Sequence, residues 1–167
     1  MRPYGQGSST LTELNLARAK SLTDKGLERL ARYIDVGVLR VLDLSMCRKV
    51  TETGFITFVN FVGLGLRQLS IVAMPMGCQK IEFLTPLIRL EELNFSNHSK
   101  VVDIGFIELL NKVGSNLRKL EVCEINIGFS QVCLISTNDS VKEAPVSILA
   151  RLEVKTWKSR RVVDVAE

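Results

Sequence analysis

The sequence predicts an α/β protein of the repeat type, a solenoid in which each unit contributes one short strand and, in most units, one helix. Two observations predict this fold class: one leucine pattern recurs along most of the chain, and a helical apolar pattern follows its best-preserved copies. A length of 167 residues fits one folded unit with a core of its own. We therefore expect a single domain.

The leucine pattern is a six-residue segment with apolar residues at its first, fourth and sixth positions. Its copies begin at Leu11, Leu39, Leu66, Leu90, Leu117 and Leu149. The leucines at the fourth position, 14, 42, 69, 93, 120 and 152, are separated by 28, 27, 24, 27 and 32 residues. A period of this size is typical of stacked repeats. The alternation within each copy predicts a short strand.

A helix is predicted after three of the copies, where apolar residues recur at spacing i, i+3, i+4, i+7. They are Leu27, Leu30, Ala31 and Ile34 in the first copy, Phe55, Phe58, Val59 and Val62 in the second, and Phe106, Leu109, Leu110 and Val113 in the fourth. Thr23, Thr51 and Asp103 precede these stripes, where a side-chain oxygen is expected to cap the helix start.

Residues 42–55, Leu-Asp-Leu-Ser-Met-Cys-Arg-Lys-Val-Thr-Glu-Thr-Gly-Phe, resemble the cysteine-containing leucine-rich repeats of F-box proteins and of related antagonists of mitotic exit. Residues 14–27 are similar to the same consensus, and the likeness extends over residues 11–122. It implies a right-handed leucine-rich-repeat solenoid, a horseshoe with about six parallel strands on the concave face and helices outside. Cys47 holds the family cysteine, and the aligned residues are Ala19, Met74, His98, Ile125 and Trp157.

Segment boundaries follow from where the pattern begins and fails. Residues 1–10 are expected to form a flexible N-terminal segment, and residues 11–154 the leucine-rich-repeat domain. An irregular insertion is expected at about 123–148, where the pattern dissolves, and a basic tail at 155–167. Both ends lack an evident capping unit, so we expect a partner chain or a further domain to cover at least one of them.

The residue types present do not favour an enzyme. His98 is the only histidine, and we interpret it as a hydrogen-bonded structural residue. Cys47 is interpreted as a small buried side chain rather than a nucleophile. The four cysteines form no CxxC pair, and no phosphate-binding or HExxH motif occurs, so we expect no catalytic residues, no cofactor and no metal.

The pattern instead predicts a non-catalytic protein-binding module on the concave face. The partner-binding residues predicted there are Arg18, Asp43, Met46, Glu92, Asn94, Lys119 and Glu121. The outward positions of all copies carry six acids and four bases, and a face that tracks phosphates would have the opposite excess. Nucleic-acid binding by Trp157 and its basic neighbours Lys155, Lys158, Arg160 and Arg161 is the less favoured alternative.

Two functions are left open by the sequence. The resemblance implies target recognition like that of the substrate-binding part of an F-box ubiquitin ligase, with a Skp-type adaptor and a cullin recruited through an F-box that residues 1–10 are too short to hold. The alternative is a structural scaffold subunit of a larger assembly. No stretch reaches 18 apolar residues and no secretory leader is evident, so an intracellular location, cytoplasmic or nuclear, is expected.

Overall fold

The computed structural model describes residues 10–77, 87–98, 103–113, 116–123 and 153–157. The elements in chain order are β1 (Glu13–Asn15), α1 (Asp24–Ala31), β2 (Val41–Asp43), α2 (Glu52–Val62), β3 (Gln68–Ser70), β4 (Glu92–Asn94), α3 (Asp103–Val113), β5 (Lys119–Cys123) and β6 (Glu153–Trp157). A single 3₁₀ turn, Gly63–Gly65, follows α2. The α/β class is confirmed. Most of the predicted insertion, the N-terminal segment and the end of the tail lie outside the described residues.

The strands lie side by side in chain order in one open sheet, and every described pair is parallel. Leu14 pairs with Leu42, which pairs with Leu69, and the series continues through Leu93 to Leu120. These are the leucines that mark the sequence period, so the predicted alignment of the first five copies is confirmed. Parallel neighbours need a crossover between them, and α1 and α2 supply it in the first two repeats.

The alignment predicted for the last copy is wrong. Leu120 pairs with Val154 and not with Leu152, so the register of β6 is displaced by two residues. Trp157 consequently lies opposite Cys123 rather than at the position of Cys47. Side chains alternate between the two faces of a strand with period 2, so a displacement of two residues leaves every residue on its original face. Alternation alone could not distinguish the two registers.

Each described repeat leaves its strand through the same left-handed turn. Arg18, Met46, Ala73 and Asn97 have φ angles of 62°, 61°, 53° and 66°. The N–H groups of the first three donate to backbone carbonyls of the next repeat at 2.8, 2.7 and 3.0 Å. A non-glycine residue in this conformation costs roughly 1–2 kcal/mol, and the inter-repeat hydrogen bond offsets part of that cost. The turn thereby extends the sheet ladder beyond the short strands.

The core lies between the inward face of the sheet and the helices. Of the twelve apolar residues in the three predicted helical stripes, all are buried except Leu30, which is partly buried. The helical spacing is therefore confirmed within the helices, whereas Ile34 is buried but lies beyond the end of α1 at Ala31. The first repeat covers its share of the core less well than the second. Leu14 and Leu16 are only partly buried, whereas the equivalent Leu42 and Leu44 are 1% and 0% exposed.

The helix starts are joined from repeat to repeat. Asp24, in the first turn of α1, accepts hydrogen bonds from the backbone N and the hydroxyl of Thr51 at 2.8 and 2.7 Å. Thr51 in turn caps α2, because its Oγ1 accepts from the N–H of Gly54 at 3.2 Å. In the next repeat Glu52 repeats the contact and accepts from the N–H of Gly77 at 3.2 Å. First-turn acids thus connect consecutive repeats.

Two of the three predicted helix caps are wrong. Thr23 precedes α1 but its side chain makes no capping hydrogen bond. In the described residues no acid of an earlier repeat orients the Thr23 hydroxyl as Asp24 orients that of Thr51. Asp103 is the first residue of α3, so it aligns with the first-turn acids Asp24 and Glu52 and not with a cap. Only Thr51 acts as predicted.

Candidate functional site

The outward side chains of the strands form two rows on the sheet face opposite the core. The first row contains Glu13, Val41, Gln68, Glu92 and Lys119, and the second Asn15, Asp43, Ser70, Asn94 and Glu121. Neighbouring strands lie about 4.8 Å apart, so each row is a closely spaced ladder of side chains. All of them are polar except Val41 of the first row. The two rows line a shallow depression of about 310 Å³, called the groove below.

The groove is acidic although the whole chain has a formal charge of +4. Among its described lining residues, Glu13, Asp43, Glu92 and Glu121 oppose a single base, Lys119. The Nζ of Lys119 lies 3.1 Å from Glu121 Oε1 and 3.7 Å from Glu92 Oε2, so this one ammonium is shared by two carboxylates. A net negative potential therefore remains along the groove.

Hydrogen bonds between neighbouring strands fix the orientation of the groove side chains. Gln68 Nε2 donates to Glu92 Oε1 at 3.2 Å, and Asn94 Nδ2 donates to Glu121 Oε2 at 2.7 Å. The Oδ1 of Asn94 is buried without a hydrogen-bond partner in the described part of the chain. The hydrogen bond that the Asn94 Nδ2 donates to Glu121 therefore orients the side chain and leaves the Oδ1 of the same amide unpaired. An unpaired buried acceptor costs roughly 1–3 kcal/mol.

The carboxylates at the β1 and β2 end of the groove make fewer contacts with other side chains than those at the far end. Glu13 is exposed, and its carboxylate makes no hydrogen bond or ion pair with the described residues. Asp43 Oδ1 accepts from the N–H of Ser45 at 2.8 Å, as Asn15 Oδ1 accepts from Ala17 at 2.9 Å. The carboxylates at this end have no neighbouring base across the rows, so the negative potential of the groove is least compensated there.

The structure divides the seven predicted partner-binding residues between two places. Those that line the groove are Asp43, Glu92, Asn94, Lys119 and Glu121. Arg18 and Met46 lie in the left-handed turns beyond the strand ends, at equivalent positions of the first and second repeats, and do not line the groove. Arg18 is exposed and Met46 is half-buried. The structure thus places five of the predicted residues together and two at the rim.

One lining residue, Val41, is apolar and was not among the seven predicted partner-binding residues. It stands in the first row, opposite Glu13 on one side and Gln68 on the other. Its position follows from the alternation around Leu42, which places residues 41 and 43 outward. Val41 is half-buried in the groove floor and offers a small apolar contact among charged groups.

Cys47 and His98, which hold equivalent positions of the second and fourth repeats, serve as hydrogen-bonding groups of the core. Cys47 is fully buried, and its Sγ–H donates to the carbonyl of Leu16 in the preceding repeat at 3.1 Å. His98 is 1% exposed, and its Nε2 lies 2.7 Å from the carbonyl of Ile71, which is the residue equivalent to Leu16. The structural interpretation of both residues is confirmed, and both positions use the same inter-repeat contact.

Burial determines the titration of these two groups. Burial raises the pKa of the Cys47 thiol, the nearby Asp43 carboxylate raises it further, and a backbone hydrogen bond from Ala19 opposes the rise. Burial lowers the pKa of His98 against the opposing effect of the Ile71 and Met74 carbonyls. The His98 Nδ1 lies 3.1 Å from the Met74 carbonyl. A neutral imidazole can donate to only one of these carbonyls.

His98 is also held by aromatic stacking. Its ring centroid lies 4.2 Å from that of Phe95 at an interplanar angle of 22°, and Phe95 stacks in turn on Phe106 of α3 at 5.9 Å. Cys47 and His98 belong to different repeats and contact different carbonyls, that of Leu16 for Cys47 and those of Ile71 and Met74 for His98. No group of three or more potential metal ligands occurs among the described residues, and no described helix is long and apolar enough to cross a bilayer.

Comparison with known families matches the first repeat. The family model described as Leucine Rich repeat matches residues 7–31, which include β1, the left-handed turn at Arg18 and α1. No curated protein matches the chain. The strand, turn and helix of the matched segment recur at a step of 28 residues as β2, Met46 and α2. The chain therefore contains a leucine-rich repeat at residues 7–31, and its parallel sheet extends this unit along the sequence.

Proposed function

We propose that the chain is a non-catalytic protein-recognition module that binds a segment of a target protein in the groove. The observation that carries this proposal is the acidic groove itself, in which four carboxylates face one ammonium on a basic chain. Leucine-rich repeats are in general protein-interaction units, and their strand face is a surface of regularly spaced side chains. A target segment that supplies Lys, Arg or backbone donors fits this arrangement.

The groove defines how such a segment is recognised. Its rows repeat at the strand spacing of about 4.8 Å, so ligand groups are met by a carboxylate or an amide at each step. The uncompensated end at Glu13 and Asp43 attracts a cationic side chain, and Val41 contacts the apolar stem of a lysine or arginine. Lys119 compensates one of the two charges of Glu92 and Glu121, so the far end is less acidic than the end at β1. The segment is therefore expected to carry its basic residues toward β1.

We further propose the finer features that the resemblance implies. The sheet curves as a right-handed horseshoe with the groove on its concave face, within a repeat domain of residues 11–154 between a flexible segment, 1–10, and a basic tail, 155–167. Arg18 and Met46 contact the target from the rim, and the groove residues contact its centre. The module then supplies the substrate-binding half of an F-box type ubiquitin ligase, with a Skp-type adaptor and cullin recruited through a separate F-box.

Affinity capture of the tagged chain from its native cells, followed by mass spectrometry, tests this function. The groove variant is Glu13→Lys with Glu92→Lys, the rim variant is Arg18→Glu with Met46→Glu, and the matched control is Glu28→Lys with Glu108→Lys. The control makes the same charge change on exposed residues of α1 and α3. We expect the groove variant to lose the captured target and the control to retain it. Retention by the groove variant would contradict the proposed site.

Recovery of a Skp-type adaptor and a cullin with the wild-type chain supports the ligase role. A scaffold subunit is the second candidate, favoured by the incompletely covered leucines Leu14 and Leu16 of the first repeat. A permanent neighbour packed on these side chains would complete the core at that end. Capture of a stoichiometric set of subunits without ubiquitin machinery, insensitive to the groove variant and lost in Leu11→Asp, supports the scaffold.

A further inference from the structure

A second surface of the chain is formed by the turns that lead into the strands. Three such turns, beginning at Asp35, Gly63 and Leu87, are closed by a backbone hydrogen bond from the fourth residue to the carbonyl of the first, at 3.3, 3.0 and 3.3 Å. The second residue of each turn is a large apolar side chain: Val36, Leu64 or Ile88. Turn positions of this kind ordinarily carry Gly, Pro, Asn, Asp or Ser.

These apolar side chains are exposed, as are two aromatic ones, Tyr33 just beyond the end of α1 and Phe61 in the last turn of α2. Val36, Leu64 and Ile88 are 41%, 45% and 54% exposed, and Tyr33 and Phe61, which stand 28 residues apart at equivalent positions, are 77% and 44% exposed. These five are all but one of the exposed large hydrophobic residues of the described chain. We call this set, Tyr33, Val36, Phe61, Leu64 and Ile88, the turn ledge.

The first two turns of the turn ledge are in contact. The Cβ of a side chain added at Gly65 would lie 2.3 Å from the carbonyl oxygen of Gly37, so the turns that hold Val36 and Leu64 touch. Arg40 joins the same two turns, because its Nη1 donates to the carbonyls of Gly37 and Gly65 at 2.9 Å each. An exposed apolar stripe that recurs in register marks an interaction surface rather than scattered exposed residues.

A cationic depression of about 410 Å³ adjoins the turn ledge at Ile88. Its lining residues are Arg67, Arg89, Glu91, Asn116, Leu117 and Arg118. Asn116 ties it to the turn ledge, since its Nδ2 donates to the Ile88 carbonyl. Arg67 is ion-paired with Glu91. The exposed guanidinium groups of Arg89 and Arg118 make no hydrogen bond or ion pair with the described residues.

We propose that the turn ledge and the adjoining arginine depression bind an acidic amphipathic helix of a partner protein. Val36 and Ile88 lie two repeats apart, about 10 Å at the strand spacing, which equals two turns of an α-helix. Apolar residues at i, i+3 or i+4, and i+7 of the ligand therefore meet the stripe. Its carboxylates meet Arg89 and Arg118, whose planar guanidinium groups suit bidentate pairing.

The charge of the surface decides between this ligand and a membrane. Binding to anionic lipid uses clusters of 4–8 basic residues worth about 1 kcal/mol each, and the depression offers two uncommitted arginines beside a carboxylate. Two arginines are enough to pair with the few carboxylates that one helix presents. The groove and the depression share no lining residue and have opposite charge. This surface is therefore a second binding site, independent of the proposed function of the groove.

Selection from a displayed library of random peptides of about 16 residues, long enough for four helical turns, tests the proposal. The full chain is the target, and Leu64→Ser/Ile88→Ser/Arg89→Glu is the counter-selection variant, with its fold checked by circular dichroism. We expect enriched peptides to carry Asp or Glu beside apolar residues at helical spacing. Their Kd, measured by fluorescence anisotropy, should rise at least about tenfold for the variant.

Two control variants keep the result specific. Leu11→Ser removes an exposed apolar residue outside the turn ledge, and Glu13→Lys/Glu92→Lys alters only the groove; both should leave the Kd within about twofold. Failure to enrich any peptide that distinguishes the wild-type chain from the turn-ledge variant would overturn the proposal. So would sedimentation of the chain with vesicles of about one-third phosphatidylserine that the same variant abolishes, because the surface would then bind a bilayer.

Discussion

Gly54→Ala is predicted to destabilise the protein because the first-turn acid of the preceding repeat lies against Gly54. A Cβ at this position would stand 2.0 Å from Asp24 Oδ1 and 2.2 Å from Asp24 Cγ. Both distances are far inside van der Waals contact, so the Asp24 carboxylate must move. That carboxylate accepts the backbone N–H and the hydroxyl of Thr51, which caps α2. One methyl group therefore disturbs the join between two repeats.

The expected magnitude is a balance of two opposed effects. Hydrogen bonds to charged groups contribute roughly 1.5–3 kcal/mol each, and the Asp24 bonds are exposed, so loss of both costs about 2–3 kcal/mol. Alanine is favoured over glycine within a helix by about 0.5–1 kcal/mol. The net decrease in the free energy of unfolding is then about 1–2 kcal/mol. For a chain of this size the melting temperature falls by several degrees.

Gly26 is the matched control, because it holds the equivalent position in the first repeat. A Cβ there meets the Leu22 Cδ1 atom at 3.0 Å, the far end of a flexible side chain, and the Thr23 Oγ1 atom at an ordinary contact distance of 4.0 Å. Gly26→Ala is therefore expected to leave stability unchanged or to raise it by up to about 1 kcal/mol. Asp24→Gly removes the carboxylate and also the Asp24 Cβ, which a Cβ at Gly54 would meet at 2.7 Å. Gly54→Ala should therefore become neutral or stabilising in the Asp24→Gly background.

Urea denaturation followed by circular dichroism measures these free energies of unfolding for the two glycine variants and the double-mutant cycle. The double variant is expected to be destabilised by at least about 1 kcal/mol less than the sum of the two single-variant effects. Equal effects at Gly26 and Gly54, or additive effects of Asp24→Gly and Gly54→Ala, would refute the inter-repeat contact as the reason for the glycine.

Three further predictions concern the carbonyl contacts between repeats. Burial lowers the pKa of His98, so below about pH 6.5 the unfolded chain binds more protons than the folded one. The free energy of unfolding should then fall from pH 7.5 toward pH 5. His98→Met, which introduces the residue type that Met74 supplies at the equivalent position of the preceding repeat, should reduce that pH dependence. An equal pH dependence of the variant and the wild-type chain would contradict the direction of the pKa shift. Cys47 is expected to resist alkylation in the native state, and peptide mass spectrometry measures the extent of its modification. Rapid modification would show that the hydrogen bond from Cys47 to the Leu16 carbonyl is not maintained. Arg40→Ala should lower the free energy of unfolding by about 1–3 kcal/mol in urea, since two turn carbonyls lose their donor; an unchanged midpoint would show that water replaces it.

The repeat alignment could be predicted because it depends on a local pattern repeated many times. The leucines at 14, 42, 69, 93 and 120 are the residues that pair across the sheet. The helical stripes were equally legible, since a buried face needs apolar residues at helical spacing regardless of the partner. The alignment of Leu152 depended on one copy alone, so the sequence did not indicate that the register of β6 is displaced by two residues.

The candidate site was predictable in part. Five of the seven predicted residues line the groove, because outward positions follow from the strand alternation. Arg18 and Met46 do not, since the left-handed turn redirects the chain after the strand, and its positive φ falls on residues other than glycine. No local preference marks such a residue in advance. The turn ledge was missed for a related reason, as its members become neighbours only when the turns stack.

The sequence by itself determined the α/β class, the period of the repeats, the side chains that fill the core and the structural roles of Cys47 and His98. Each depends on the residue types within one repeat and on their spacing. The tertiary structure decided which groups of different repeats meet: Asp24 with Gly54, His98 with the Ile71 carbonyl, and the arginines beside Ile88. Such contacts depend on the step and rotation between repeats, which are set by packing across some 28 residues rather than by any local pattern.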